Sequence, residues 1–448
     1  VRTHLLYPQL RESYPVAVRA KGSHVYDADG KAYLDGCSGA IVVNLGHGVP
    51  EIAEAVRAQL DELTFVTRLQ FTSPPAERLA AELTGSAPGD LDHVFFTNSG
   101  SEAMEAAVRL ALQYWQERGQ QDRTVFVSRE SSYHGATLGA MGLTGHPARR
   151  RAVRALLPDW PKSAPANCYS CPFGLTRATC RLDCARSVEE VIMAAGPGRV
   201  AAVVIEPVVG ASGGAVPAPD GYLREVADIC ARHGVLLIAD EVITGLGRTG
   251  RWFGCDAEDV VPDLLVLGKG LSAGYAPLGA VLLGDRVYDA ILSGSGQFPL
   301  GHTYAANPLS TAVGLAVLRY VREHDLPARA RELGPVLAAG LRDVLAARGI
   351  AADVRGRGLL LAVDFTPPGP PHPAMLPGIT AAEMVRAARD VGLMLYPAGT
   401  TPVPGAVMVA PPLTITRAEL DELIELFAAA LDLLCPRLPN PCLERSRS

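Results

Sequence analysis

Between residues 90 and 310, short apolar runs rich in β-branched side chains alternate with longer stretches of helical periodicity. The runs at 93–98 (HVFFTN), 124–128 (TVFVS), 200–207 (VAAVVIEP), 235–241 (VLLIADE), 264–268 (LLVLG) and 278–284 (LGAVLLG) predict strands. Between the first two, SEAMEAAVRLALQYWQERG sets Met104, Val108, Leu112 and Trp115 on one side of a helix, because residues three and four apart share a face. Alternation of the two element types predicts an α/β fold whose mainly parallel sheet is covered on both faces. Ligands of such sheets gather at the carboxyl ends of the strands, so candidate chemistry is sought there.

The flanks read differently. Residues 24–36 (HVYDADGKAYLDG) predict a hairpin turning between Asp27 and Gly30. After residue 315, helical stretches at 328–348 and 380–391 alternate with LLLAVDF and VMVAPPL, the pattern of a small α+β domain. The predicted division is an N-terminal segment (1–60) joining the small domain, a large domain (61–315), the small domain (316–435) and a tail (436–448) expected to be disordered. The Pro-rich stretch 367–378 is expected to be a loop, and no internal repeat is found.

Composition narrows the function classes. A chain of 448 residues with 48% hydrophobic and 20% charged residues can bury a large core. The net charge of −6, without a long basic run, argues against a nucleic-acid partner. The cluster Arg149, Arg150, Arg151 and Arg154 reads as a solvated helix face. No stretch is long and apolar enough for a membrane span, and VRTHLLYPQL lacks the regions of a signal peptide, so the expectation is a cytoplasmic enzyme. Nine cysteines, five of them scattered (Cys37, Cys230, Cys255, Cys435, Cys442), suit a reducing compartment.

Lysine is scarce: four residues, against thirty-seven arginines. Lys21, Lys31 and Lys162 lie in polar or Pro-rich surroundings that read as surface, whereas Lys269 ends the apolar run LLVLGKGLSAG. Lysine gives up its proton readily when desolvated, so it can act as a Schiff-base amine where arginine cannot. Three further motifs accompany it. In TNSGSEAMEAA a strand turns through glycine into a helix opening at Ser101, and the free amides there form an anion cup suited to a phosphate, or an ordinary helix cap. In LLIADEVITGLGRTG, Asp240 and Glu241 end an apolar strand, where a carboxylate needs a cation such as a protonated pyridine nitrogen, or else caps a turn. In SSYHGATLGAMGLTG, Tyr133 follows a strand and can lay its ring against a flat cofactor, while His134 reads as structural.

Together Lys269, Gly100, Ser101, Asp240 and Tyr133 meet the needs of pyridoxal 5′-phosphate (PLP). The chain resembles the class III aminotransferases of PLP fold type I over nearly its whole length, with four motifs in the family's order. The resemblance implies catalytic Lys269 and Asp240, and a cofactor-binding set of Gly100, Ser101, Tyr133, His134, Glu206, Asp240, Val242, Lys269 and Thr303. It also implies a homodimer with shared active sites, in which Thr303 of GHTYAANPLS reaches the phosphate of the other subunit while Gly301 and His302 shape the turn. The implied reaction is ping-pong transfer of an amino group from an amine donor to a ketone or aldehyde.

Two departures bear on substrate. Where many members read D-E-V-Q, this chain has Ile243, as in members that resemble ω-amine transaminases. Where members acting on ornithine or γ-aminobutyrate resemble IRFAPPL, it has VMVAPPL, so Met408 replaces the arginine that would pair with Glu206. An unpaired Glu206 would favour an ω-amine, diamine or amino sugar (such as an aminoglycoside) in secondary metabolism. Separately, Cys168, Cys171, Cys180 and Cys184 form C-x2-C-x8-C-x3-C, a spacing that suits a structural zinc, a local disulfide or simply free thiols. The competing functions are a PLP-dependent epimerase, racemase or aminomutase, and a non-enzymatic PLP-binding module.

Overall fold

The computed structural model describes residues 4–369, 377–400 and 403–434. Part of the Pro-rich stretch, Cys435, Cys442 and the tail 436–448 lie outside them. The apolar runs form a seven-stranded sheet in the spatial order His93–Thr97, Gly279–Leu283, Leu264–Leu267, Leu236–Asp240, Val200–Ile205, Val125–Arg129 and Lys162–Ser163. Only Gly279–Leu283 runs against its neighbours. The strands Val200–Ile205, Leu236–Asp240 and Leu264–Leu267 are buried at every position, which is why their sequences are continuous apolar runs rather than alternating ones.

The helix Gly100–Glu117 covers one face of this sheet. Met104, Val108 and Trp115 of the predicted stripe are buried and Leu112 partly so, but Ala103, Ala106, Ala107, Leu110, Ala111 and Tyr114 are buried as well. Small alanines bring the backbone close to the sheet, and the buried face is therefore wider than a stripe of large side chains suggests.

Residues 24–36 form the expected hairpin, but Ala17–Lys21 adds a strand that periodicity did not reveal. The fourth strand of that sheet comes from far along the chain, because Leu393–Met394 pairs in parallel with Leu34 and Asp35. A second antiparallel sheet, in the order Asp353–Arg357, Leu360–Asp364, Ala406–Val409 and Tyr396–Ala398, packs against the helices Leu326–Ala347, Ala381–Asp390 and Arg417–Leu434. Leu34, Leu45 and Ile52 share one apolar cluster with those helices. No helix among the described residues is long and apolar enough to cross a membrane.

Candidate active site

Five strands run in the same direction, and the turns after them line one cavity. After His93–Thr97 come Ser99, Gly100 and Ser101; after Val125–Arg129, Tyr133, His134 and Gly135; after Val200–Ile205, Glu206; from Leu236–Asp240, Asp240, Val242 and Ile243; after Leu264–Leu267, Lys269. This is the carboxyl edge of the parallel strands, where side chains from separate βα turns meet.

Lys269 is half-buried, with its side chain lining the cavity. Burial pushes its ammonium down to about 8 against the pull of Asp240 and Glu206, whose negative charges favour the protonated form, while the positive charge of Arg149 adds to the lowering. Its backbone sits at φ 40°, in the left-handed region that costs a non-glycine residue about 1–3 kcal/mol. Gly268 beside it permits close approach to the helix turn, since a Cβ there would lie 3.2 Å from the Cα of Gly100. A prediction follows from the lowered pKa. Between pH 8 and 10.5 the folded cofactor-free chain binds fewer protons at this site than the unfolded chain, so its stability rises with pH across that window. Lys269→Met should therefore gain up to about 3 kcal/mol over wild type at pH 7, and the difference should shrink by pH 10 in denaturant titrations. A difference that stays constant with pH would contradict the burial of this amine.

The two strand-end carboxylates have separate fates. Glu241 turns inward, accepting hydrogen bonds from the Gly254 and Cys255 amides at 2.9 and 2.8 Å and from the Thr244 hydroxyl. It caps a turn. Asp240 faces the cavity, with Oδ2 at 2.8 Å from Nδ1 of His134 and Oδ1 accepting from the Val242 amide at 3.2 Å. His134 is buried, and its Nε2 has no hydrogen-bond partner. The imidazole thus fixes the direction in which Asp240 presents its charge.

The helix Gly100–Glu117 is capped by Ser99, whose hydroxyl accepts from the Glu102 amide at 3.2 Å. Ser101 stands in the first turn and ties this helix to the tyrosine loop by accepting from the Ala136 amide at 3.0 Å. Gly135 makes that contact feasible: it lies at φ 141°, and a Cβ would sit 2.9 Å from the Ser101 hydroxyl. Val242 packs against Gly100 across the mouth of the turn.

Several expectations need correction. Glu206 lacks an arginine partner for its carboxylate, yet it is not unpaired: its two oxygens accept from the Tyr133 amide at 3.1 Å and the Gly210 amide at 2.8 Å. Burial raises its pKa above the usual carboxylate value, and the two amides make it an anchor of the tyrosine loop. Met408 is fully buried beside Ile41 and Val208, with Ile243 packed on the same cluster, so this wall of the site is apolar. Lys162 is not a surface lysine: it is half-buried, donates to the Gly142 and Trp160 carbonyls at 2.9 and 2.8 Å, and is lowered to about 8 by burial and then by Arg150. Arg149, Arg151 and Arg154 are exposed, as expected of a solvated face, but Arg150 is half-buried. The helix there is one turn, Pro147–Arg150; the Arg149 guanidinium lies 4.5 Å from the Tyr133 ring centroid, and Nε of Arg150 is buried.

Cys168, Cys171, Cys180 and Cys184 are free thiols, and no group of three or more metal-ligating side chains converges among the described residues. The zinc expectation therefore finds no ready ligand set. Cys184 packs into the apolar cluster of Ala185, Val188 and Tyr222, and the loop of Cys168 and Cys171 is held by the Tyr169 hydroxyl donating to the Thr366 carbonyl at 2.9 Å, with Cys168 and Cys184 each in electrostatic reach of Cys180. Thr303 is exposed and lines a different cavity, with Arg68, Phe71 and His302, so within one chain it does not join Lys269.

The family model described as aminotransferase class-III matches residues 8–431. The aminotransferase YodT of Bacillus subtilis, whose description adds "uncharacterized", is 44% identical over 430 residues, covering 95% of this chain and 97% of its own. Among solved structures, an (S)-enantioselective omega-transaminase from Thermomicrobium roseum superposes with a TM-score of 0.89 at 37% identity, covering 96% of each chain. An amine transaminase from an uncultivated Pseudomonas species, solved in its PLP-bound form, gives a TM-score of 0.88 at 33% identity over 97% of this chain and 99% of that one.

Proposed function

Since the chain belongs to the class III aminotransferases, enzymes that depend on PLP, we propose that it moves the amino group of an ω-amine to a ketone or aldehyde by a ping-pong mechanism. The observation that carries this reading is the Lys269 amine facing the His134-braced carboxylate of Asp240 in one cavity.

The residues fit the cofactor. The turn at Gly100 and Ser101 opens an 18-residue helix and would hold the phosphate, the Tyr133 ring would lie against the pyridine, and Asp240 would face the ring nitrogen. When bound, PLP supplies an aldehyde carbon and a ring that withdraws electrons from the substrate. Every further task falls to this chain. Lys269 would hold the aldehyde carbon, and its Nζ, once free, would take a proton from the substrate carbon. Lowering of its pKa to about 8 keeps a useful fraction of that amine neutral near physiological pH. Asp240 would keep the ring nitrogen protonated, and His134 holds its carboxylate in place. Glu206 fixes the tyrosine loop through the Tyr133 amide. The relative and solved structures named above are described as aminotransferases or transaminases, which favours amino-group transfer over epimerase or aminomutase chemistry.

For the donor, the apolar wall of Ile243 and Val208, backed by the buried Met408, supports an amine carrying an apolar substituent. Glu206 already holds the Tyr133 and Gly210 amides, so a preference for diamines or amino sugars no longer rests on an unpaired carboxylate. A donor panel against pyruvate tests this: apolar primary amines should outpace putrescine, amino sugars, ornithine and γ-aminobutyrate in kcat/KM. Faster turnover of any of the latter would overturn the donor assignment.

The same reading keeps the division into an N-terminal segment, a large domain to residue 315 and a small domain, supported by the apolar cluster joining Leu34, Leu45 and Ile52 to the C-terminal helices. It also includes a homodimer in which Thr303 reaches the partner's phosphate. Beside Thr303, Phe65, Leu69, Phe71 and Tyr304 are exposed in the single chain, an apolar patch that association would cover. Sedimentation should give twice the 47.2 kDa of one chain, and Leu69→Glu with Phe71→Glu should shift the protein toward monomer with loss of activity. A fully active monomer would contradict the shared site.

A further inference from the structure

The arginines around the lysine cavity are engaged in different degrees. Arg129 lies beneath the site and donates to the Glu206 carbonyl. Arg355 spans Asp353 and Asp364 at 2.9 and 2.8 Å and donates to the Gly213 and Gly214 carbonyls. Arg149 makes no hydrogen bond or ion pair with any described residue, although it is exposed and its guanidinium lies 4.5 Å from the Tyr133 ring centroid. Tyr133 itself lines the cavity.

The position of Arg149 is built into the loop. The segment leading to its one-turn helix is tied to the tyrosine loop, with the Ser131 amide donating to the Gly145 carbonyl at 3.2 Å and the Gly145 amide to the Ser132 carbonyl at 3.1 Å. Pro147 at the start of the helix restricts the backbone just before it. The charge of Arg149 is felt at both Lys269 and His146, which places it in the electrostatic reach of the reacting amine. A guanidinium stacked on an aromatic ring keeps its edge N–H groups free for a planar anion, and a carboxylate matches that edge.

We infer that Arg149 is a specificity residue that receives the carboxylate of the amino acceptor, a 2-oxo acid, at the mouth of the lysine cavity. This rests on the reading above, in which the donor amine carries no carboxylate and the acceptor brings one. When the donor is bound, Arg149 remains on Tyr133 and the apolar wall of Val208 and Ile243 meets the substrate. When the 2-oxo acid enters, the unpaired guanidinium supplies the one interaction that this wall lacks. One cavity then serves two chemically unlike substrates in turn.

The test is binding of propionate, a carboxylate that cannot be transaminated, to the holoenzyme, measured by calorimetry for wild type, Arg149→Met and Arg149→Lys. Loss of a charge-assisted contact should weaken propionate about 10- to 100-fold in R149M, with partial recovery in R149K. The KM for pyruvate should rise by a similar factor, while the KM for an apolar amine donor changes less than about threefold. Failure of wild type to bind propionate, unchanged binding in R149M, or an equal rise in both KM values would each overturn the inference; the last would mean that Arg149 only supports Tyr133. A donor panel favouring amino acids over apolar amines would overturn the donor reading instead, whatever propionate does.

Discussion

Lys269→Ala is expected to lower turnover by about 10⁴-fold or more, because one side chain both anchors the cofactor and carries the proton. Nothing nearby can substitute. Lys162 has a similarly lowered pKa, but its ammonium donates to the Gly142 and Trp160 carbonyls and the residue does not line the cavity. The Cβ of alanine also avoids placing bulk in the site, so PLP should still bind noncovalently through the phosphate cup, Tyr133 and Asp240. The measurement is therefore paired: kcat on a donor the wild type uses, and PLP content after gel filtration in cofactor-containing and cofactor-free buffer. Wild-type turnover in K269A would refute the lysine's role. Loss of activity with loss of the fold, seen by circular dichroism, would point to structural damage, and Lys269→Met would then separate the two causes.

Asp240→Asn is expected to cost about 10²- to 10³-fold in kcat, the scale seen when one preorganised electrostatic group is removed from a buried site. Asparagine keeps the shape and can still meet His134, but it carries no charge to hold a ring nitrogen protonated. Glu241→Gln is the comparison, since Glu241 lies next in sequence yet points into the Gly254–Cys255 turn. It should lower thermal stability and leave the chemistry of bound substrate largely intact. An Asp240→Asn enzyme as fast as wild type, or equal catalytic losses in the two variants, would contradict the separate roles assigned to these carboxylates.

The sheet and its reactive edge were legible because buried parallel strands are written as unbroken apolar runs, most of them followed by glycine, asparagine or a carboxylate. Lys269, Asp240, Gly100 and Tyr133 stand at the end of such runs or within four residues of it, and parallel topology brings those ends together. Pairings across the edge were not legible. Tyr133 and Glu206 are 73 residues apart and His134 and Asp240 are 106 apart, and no local pattern records which partner each will meet. The expectation of an unpaired Glu206 failed for this reason: it counted side-chain partners, whereas backbone amides took both oxygens. Arg149 was hidden by the same logic, since a run of arginines looks solvated until the loop carrying it is seen folded over Tyr133. Ala17–Lys21 was missed because its burial pattern is mostly exposed, leaving no apolar alternation to read.

The central claim is that Lys269 and Asp240 drive a transamination rather than another reaction of the same cofactor. The most direct measurement mixes holoenzyme with a donor amine and no acceptor, and counts the carbonyl product released per active site. The account predicts one equivalent and then a halt, with turnover resuming when pyruvate is added. No carbonyl product, with the donor recovered in inverted configuration, would contradict it.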